Sequence, residues 1–117
     1  MDVRRLGADE SNLALEALRL LKATDGYPTP APEHVAQFLS RPDNVLIVAT
    51  ADGAPVGFLL AYLLDRANRD QQMMFLYEID VAESHRRRGI GTQMITQLTT
   101  ICWAQNVVKI RDSGGRH

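Results

Sequence analysis

Cysteine is almost missing: Cys102 stands alone in 117 residues, so no disulfide can close within the chain. That excludes a disulfide-stapled secreted scaffold and suits a reducing interior, so a cytoplasmic protein is expected. Long apolar runs are missing too. The longest, Phe58 to Leu64, falls far short of the roughly 20 residues a membrane helix needs. Met1-Asp2-Val3-Arg4-Arg5 does not resemble the start of a signal peptide, and no membrane partner is expected. Neither sign of charge is in excess, since 13 basic and 14 acidic side chains leave a net charge of −1. Without a global positive field or a row of stacking aromatics, nucleic acid is not an expected partner. His34, His85 and His117 are scattered without ligand spacing, so no metal site is expected.

What remains is an ordinary folded composition, 45% hydrophobic and 23% charged, and residues 1–117 are expected to form one domain. Ala14, Ala17, Leu18 and Leu21 recur at helical spacing and predict a first helix over Ser11–Lys22, with Asp9 or Ser11 as its cap. Three prolines follow, Pro28, Pro30 and Pro32, and forbid regular helix there. A short helix is predicted over Glu33–Ser40, burying Val35, Phe38 and Leu39. Val45–Thr50 and Val56–Leu64 read as strands joined at Asp52-Gly53, a dipeptide suited to the positive φ of a tight hairpin turn. The polar stretch Asp65–Gln72 reads as a loop before a third strand, Met73–Val81. Met94, Ile95, Leu98, Ile101 and Cys102 then mark a long helix from Gly89 or Ile90 to Gln105. Val107–Ile110 reads as one more strand, and Arg111–His117 as a polar tail.

The chemistry is concentrated between the third strand and the long helix. Arg86-Arg87-Arg88-Gly89-Ile90-Gly91 is a basic, glycine-bearing turn feeding a helix N-terminus. The first N–H groups of a helix lack intrahelical partners, and its dipole adds positive charge there. Glycines admit an anion close to the backbone, and arginines add donors, so the turn fits a phosphate or pyrophosphate. The same residues also describe a solvated basic turn with a glycine-assisted helix start.

The segment Ile79-Asp80-Val81-Ala82-Glu83-Ser84-His85-Arg86-Arg87-Arg88-Gly89-Ile90-Gly91 resembles the acetyl-CoA motif of the GNAT superfamily of N-acetyltransferases. In that motif Arg or Gln is followed by x-x-Gly-x-Gly/Ala after a strand ending in Val. Arg86, Gly89 and Gly91 fill its defining positions. Phe38–Asp43, Val56–Tyr62 and Leu76–Val81 look most like the aminoglycoside 3-N-acetyltransferases within that superfamily. The resemblance implies an α/β fold of the α+β kind, a mixed, mainly antiparallel sheet flanked by helices. It also implies acetyl-CoA as acyl donor, a small amine as acceptor, and direct acetyl transfer to that amine.

By the same resemblance, backbone groups of Ile79 and Val81 would pair with the pantetheine arm, and an N–H near Ile79 would polarise the thioester carbonyl. The N–H groups of Arg87, Arg88, Gly89, Ile90, Gly91 and Thr92 would hold the pyrophosphate, with Arg86 closing the turn. An amine protonated at neutral pH needs a base before it attacks. Glu78 occupies a position often acidic in the family and is the candidate base; the alternative is that it binds a cationic acceptor or pairs with an arginine. Strand alternation predicts Phe75, Tyr77, Ile79 and Val81 on one face and Leu76, Glu78 and Asp80 on the other. Asp25 and Tyr27 are the candidate acceptor-facing residues, against a rigid surface loop. His85 reads as a turn residue, Cys102 as a packed thiol, and Tyr62 and Trp103 as packing residues.

Against the family pattern, only Arg-Asp-Ser-Gly-Gly-Arg-His follows Ile110, where a further helix and strand hairpin are expected. No tyrosine matches the family's usual donor of a proton to the departing thiolate. Shortening by nature or by design, or completion by a twin subunit, are the open explanations, and a homodimer or larger oligomer is expected. Function therefore divides between an N-acetyltransferase, on an aminoglycoside among other candidates, a non-catalytic acyl-CoA-binding domain, and an interaction module with no CoA site.

Overall fold

The computed structural model describes residues 1–21, 23–107 and 110–112. In chain order its elements are β1 (Asp2–Arg5), α1 (Ser11–Leu20), α2 (Pro32–Ser40), β2 (Asn44–Ala51), β3 (Ala54–Arg66), β4 (Arg69–Val81), α3 (Ile90–Ala104) and β5 (Ile110–Asp112). The strands form one sheet in the order β1-β2-β3-β4-β5. Neighbours from β1 to β4 are antiparallel, while β5 runs parallel to β4. A parallel neighbour requires a crossover, and α3 lies within it.

The helices cover both faces of the sheet. On one face Ile90, Met94, Leu98 and Cys102 of α3 pack against Val45, Ile47, Leu59 and Met74. On the other, Ala14 and Ala17 of α1 with Val35 and Leu39 of α2 pack against Leu46, Val48 and Phe58. Strand β2 is therefore buried on both sides, which is why its sequence is apolar without alternation. Gly57 sets the distance between α3 and the sheet. A Cβ there would meet Met94 Cε at 3.2 Å, and Ile90 Cγ2 and the Asp80 carbonyl at 3.3 Å. Pro32 opens α2 at a position where its missing N–H costs nothing, one residue earlier than expected.

Several expectations are corrected. Strand β1 is not among the expected elements, because its sequence is mostly polar, yet Asp2–Arg5 pairs with Ile47–Thr50. Side chains reinforce the backbone ladder: Arg5 reaches the carbonyls of Pro42 and Asn44, Arg4 bridges Asp2 and Glu10, and the Gln97 side chain bonds the Val3 carbonyl. The expected loop Asp65–Gln72 is the end of a long β3–β4 hairpin that turns at 67–68. Its side chains are mostly exposed, so no hydrophobic alternation marks it, and polar bonds such as Gln72 to Asp65 tie it instead. The described part of the last strand is Ile110–Asp112, which shares Ile110 with the expected Val107–Ile110 and runs on into the expected tail; Val107 is buried outside it, and Val108 and Lys109 fall outside the described residues. Helix α1 ends at Leu20, with Lys22 outside the described residues. Trp103 is no packing residue: it is 75% exposed on the outer side of α3.

Candidate active site

A bulge in β4 decides which side chains meet. Leu60 lies opposite Glu78, but the next residue of β3, Ala61, lies opposite Leu76, so β4 carries an extra residue there. The simple alternation expected along β4 is thereby broken. Met74 and Leu76 pack on the α3 side, and beyond the bulge so do Ile79 and Val81. Glu78 and Asp80, opposite Leu60 and Phe58, take the face of α1 and α2. Ala82 donates to the Val56 carbonyl at 2.7 Å, so in the alternating ladder the amide groups of Ile79 and Val81 turn away from β3. On that side, among the described residues, pairing with β5 ends at Leu76.

Val81 is nonetheless engaged by the chain itself. Its N–H donates to Asp80 Oδ1 at 2.9 Å and its carbonyl accepts from Arg86 Nε at 3.0 Å. Arg86 also approaches Asp80 Oδ1 at 3.4 Å. The backbone of Val81 thus helps to close the turn, and Ile79 is left as the residue facing the open side of β4.

After Glu83–His85, a single 3₁₀ turn, the chain takes left-handed backbone at Arg87 (φ 65°) and Gly89 (φ 77°). Ile90 is buried and anchors α3, so only its backbone faces the turn. Among the described residues no acceptor meets the N–H groups of Arg87, Arg88, Gly89, Ile90, Gly91 or Thr92. The first bonded amide is that of Gln93, which donates to the Gly89 carbonyl at 3.0 Å. No side chain caps α3, and its first turn holds no acidic residue. Space is open above Gly91, where a Cβ would touch nothing within 4 Å. Arg86, Arg87 and Arg88 are exposed around this group of donors. Two left-handed residues close together, bare amides and three arginines make a turn suited to an anion.

On the α1–α2 side of β4 lies a cleft of about 670 Å³, within the usual size of ligand pockets. Asp25 and Tyr27, from the loop after α1, line it together with Leu60, Tyr77 and Glu78. Burial first, and Asp80 second, raise the Glu78 carboxyl above the ordinary glutamate range. Burial, with help from Tyr77 and Glu78, raises the Tyr62 hydroxyl likewise. Tyr62 stacks edge-on against Tyr77 at 5.8 Å and Phe38 at 6.0 Å, so Tyr62 does serve packing. Neither Glu78 nor Asp25 has an ion-pair partner among the described residues. The cleft therefore presents two uncompensated carboxylates and the rings of Tyr27 and Tyr77, a surface suited to cations.

Residues 12–112 match the acetyltransferase (GNAT) family. The chain belongs to it. Its fold is shared by an aminoglycoside acetyltransferase from an uncultured soil metagenomic sample, solved with trehalose. The TM-score is 0.88 at 20% identity, over 98% of this chain and 78% of that one. A second soil metagenomic aminoglycoside acetyltransferase is 26% identical with a TM-score of 0.83, over 99% and 80%. The aminoglycoside N-acetyltransferase AAC(6')-Iy in complex with CoA aligns at a TM-score of 0.80 and 22% identity, over 98% and 77%. No curated protein sequence matches the chain. The GNAT fold expected from the sequence, a mixed and mainly antiparallel sheet with flanking helices, is the one observed.

Other singled-out residues take bland places in this GNAT fold. Cys102 is buried in the α3 core and its thiol is raised by burial, the opposite of an activated nucleophile. His85 sits in the turn with Nδ1 2.8 Å from Ser84 Oγ. Among the described residues no cluster of His, Cys, Asp and Glu is arranged to hold a metal ion. No described helix is long and apolar enough to cross a membrane. Two candidates were not legible in advance: Tyr77, brought into the cleft beside Glu78 at the bulge, and Asp80, whose link to Arg86 spans six residues.

Proposed function

We propose that this chain is an N-acetyltransferase that moves the acetyl group of acetyl-CoA onto a primary amine of a small molecule, with aminoglycosides among the candidate acceptors. The observation that carries the reading is the row of unpartnered amides from Arg87 to Thr92, at an uncapped helix start ringed by arginines. Acetyl-CoA supplies an activated thioester. The diphosphate of such a donor would take the amides of Arg87, Arg88, Gly89, Ile90, Gly91 and Thr92, with charge-assisted bonds stronger than neutral ones. Arg86, held on Val81, keeps the turn closed. The backbone of Ile79 would guide the pantetheine arm along the open side of β4, and its N–H would polarise the thioester carbonyl.

Glu78 is proposed as the base. It stands in a cleft suited to cations, and its raised proton affinity moves it toward the range where a carboxylate accepts a proton usefully. Asp25 and Tyr27 would hold the rest of the acceptor. Placing the amine and the thioester side by side, with no covalent enzyme intermediate, supplies much of the acceleration. We further propose that residues 1–117 act as one cytoplasmic domain. A homodimer is proposed as well, on the support of an edge strand β5 with a single neighbour among the described residues and an exposed Trp103.

Thiol release from acetyl-CoA over a panel of amines tests the activity. Release with at least one amine is expected. Calorimetric binding of acetyl-CoA without release would leave the binding-domain reading, and no binding at all would sink both.

A further inference from the structure

Asp80 does not belong to the row of donor amides and does not line the acceptor cleft, yet it is tied to Arg86 at the start of the donor turn and neighbours Glu78 of the cleft. Its Oδ1 accepts from the Val81 N–H at 2.9 Å and lies 3.4 Å from the Arg86 guanidinium. Arg86 in turn donates to the Val81 carbonyl at 3.0 Å, so Asp80, Val81 and Arg86 form a closed ring at the exit of β4. On the same face, two residues back along the strand and so about 7 Å away, stands Glu78. We propose that Asp80 is a positioning residue joining the two substrate sites: it fixes Arg86 at the donor turn and sets its own charge beside Glu78 in the acceptor cleft.

This rests on the functional reading above and deepens it. A like charge disfavours ionisation of its neighbour, so Asp80 strengthens Glu78 as a base. The other groups around Glu78 are Tyr77 on β4, Tyr62 on β3, and Asp25 and Tyr27 from the loop after α1. After burial, the Asp80 charge raises the Glu78 carboxyl, and an arginine holds Asp80 in place. Arg86 partly offsets the Asp80 charge. A diphosphate that shares the guanidinium held by Asp80 would weaken that offset, so donor occupancy and the proton affinity of Glu78 should rise together. Linkage then makes the effect mutual: protonating Glu78 favours the donor.

The test compares Asp80→Asn with wild type. Asparagine keeps an oxygen for the Val81 N–H and removes only the charge; matching circular dichroism would verify the fold. Two measurements need no turnover. Carbon-detected NMR follows the Glu78 carboxyl through its titration, with and without CoA, and calorimetry gives the affinity for CoA. We expect the Glu78 midpoint to move to lower pH in Asp80→Asn, and CoA affinity to fall about two- to fivefold, as for loss of an exposed ion pair. In the wild type, CoA should move the midpoint upward, and in the variant by less. An unmoved Glu78 midpoint in the variant, or unchanged CoA affinity, overturns the inference while leaving the acetyltransferase reading intact. A wild-type chain that binds no CoA overturns both.

Discussion

Glu78 lies directly across the β3–β4 ladder from Leu60, whereas Leu76, two residues earlier, lies across from Ala61. That one-residue slip places the glutamate on the α1–α2 side while keeping Ile79 and Val81 against α3. The proposed base and the proposed guide for the donor therefore occupy successive positions of one strand on opposite faces.

Replacing Glu78 by glutamine should lower kcat by roughly a hundredfold or more, the scale of a positioned base. Its effect on CoA affinity should be small. In the wild type, kcat should fall as pH drops through the raised Glu78 range, because only the carboxylate accepts a proton. The variant should lose that limb. Steady-state kinetics across pH checks both points.

The same residue predicts a stability signature. Its folded proton affinity is raised above the unfolded value, so its favourable contribution is complete at low pH and disappears as pH rises through the folded range. Thermal melts of Glu78→Gln should exceed wild type at neutral pH, and the gap should close in acid.

Gly89 holds φ at 77° and begins α3 without a side-chain cap. A valine there is strained whatever the space, by about 1–3 kcal/mol, and would twist the amides that follow. Calorimetry should show CoA binding weakened by at least tenfold, with a lowered Tm. Arg86→Ala should do less, because the exposed pairing it loses is weaker than backbone strain.

Gly57 is the matching test on the sheet. A valine's added carbons meet Met94, Ile90 and the Asp80 backbone, and the last of these cannot swing aside. Overpacking of this kind costs about 1–3 kcal/mol. It should push α3 from the exit of β4, so denaturant melts and CoA affinity should fall together.

Asp25→Asn addresses the acceptor. Removing one of the two carboxylates that line the cleft, neither ion-paired among the described residues, should raise KM for a cationic amine severalfold. CoA affinity, measured by calorimetry, should stay unchanged. A rise in the CoA Kd instead would place Asp25 outside the acceptor surface.

The turn proposed for the donor was legible as a glycine-bearing helix start because its signal is local. Arg86, Gly89 and Gly91 lie within six residues, and a helix start needs nothing distant to expose its amides. The strand β2 was likewise visible in the β-branched and apolar run Val45–Thr50. The facing of β4 was not, because the slip between Leu60 and Ala61 is a property of two strands and leaves no mark in either one. Asp2–Arg5 was hidden for a related reason: an edge strand held by backbone bonds and long polar side chains carries little hydrophobic pattern. The approach of Asp25 and Glu78 to one cleft depends on how α1 and its following loop settle on the sheet, which periodicity alone does not encode.

Arg87 carries a side chain in a backbone conformation that glycine would hold with less strain, at a cost of about 1 kcal/mol. The shape persists because both its flanks are nailed down, Arg86 on Val81 and Ile90 in the core. A loop moulded by its own neighbours has little freedom left to surrender on association. Affinity for a diphosphate should therefore be limited by desolvation of the arginines, and should respond more to added salt than to changes in loop length.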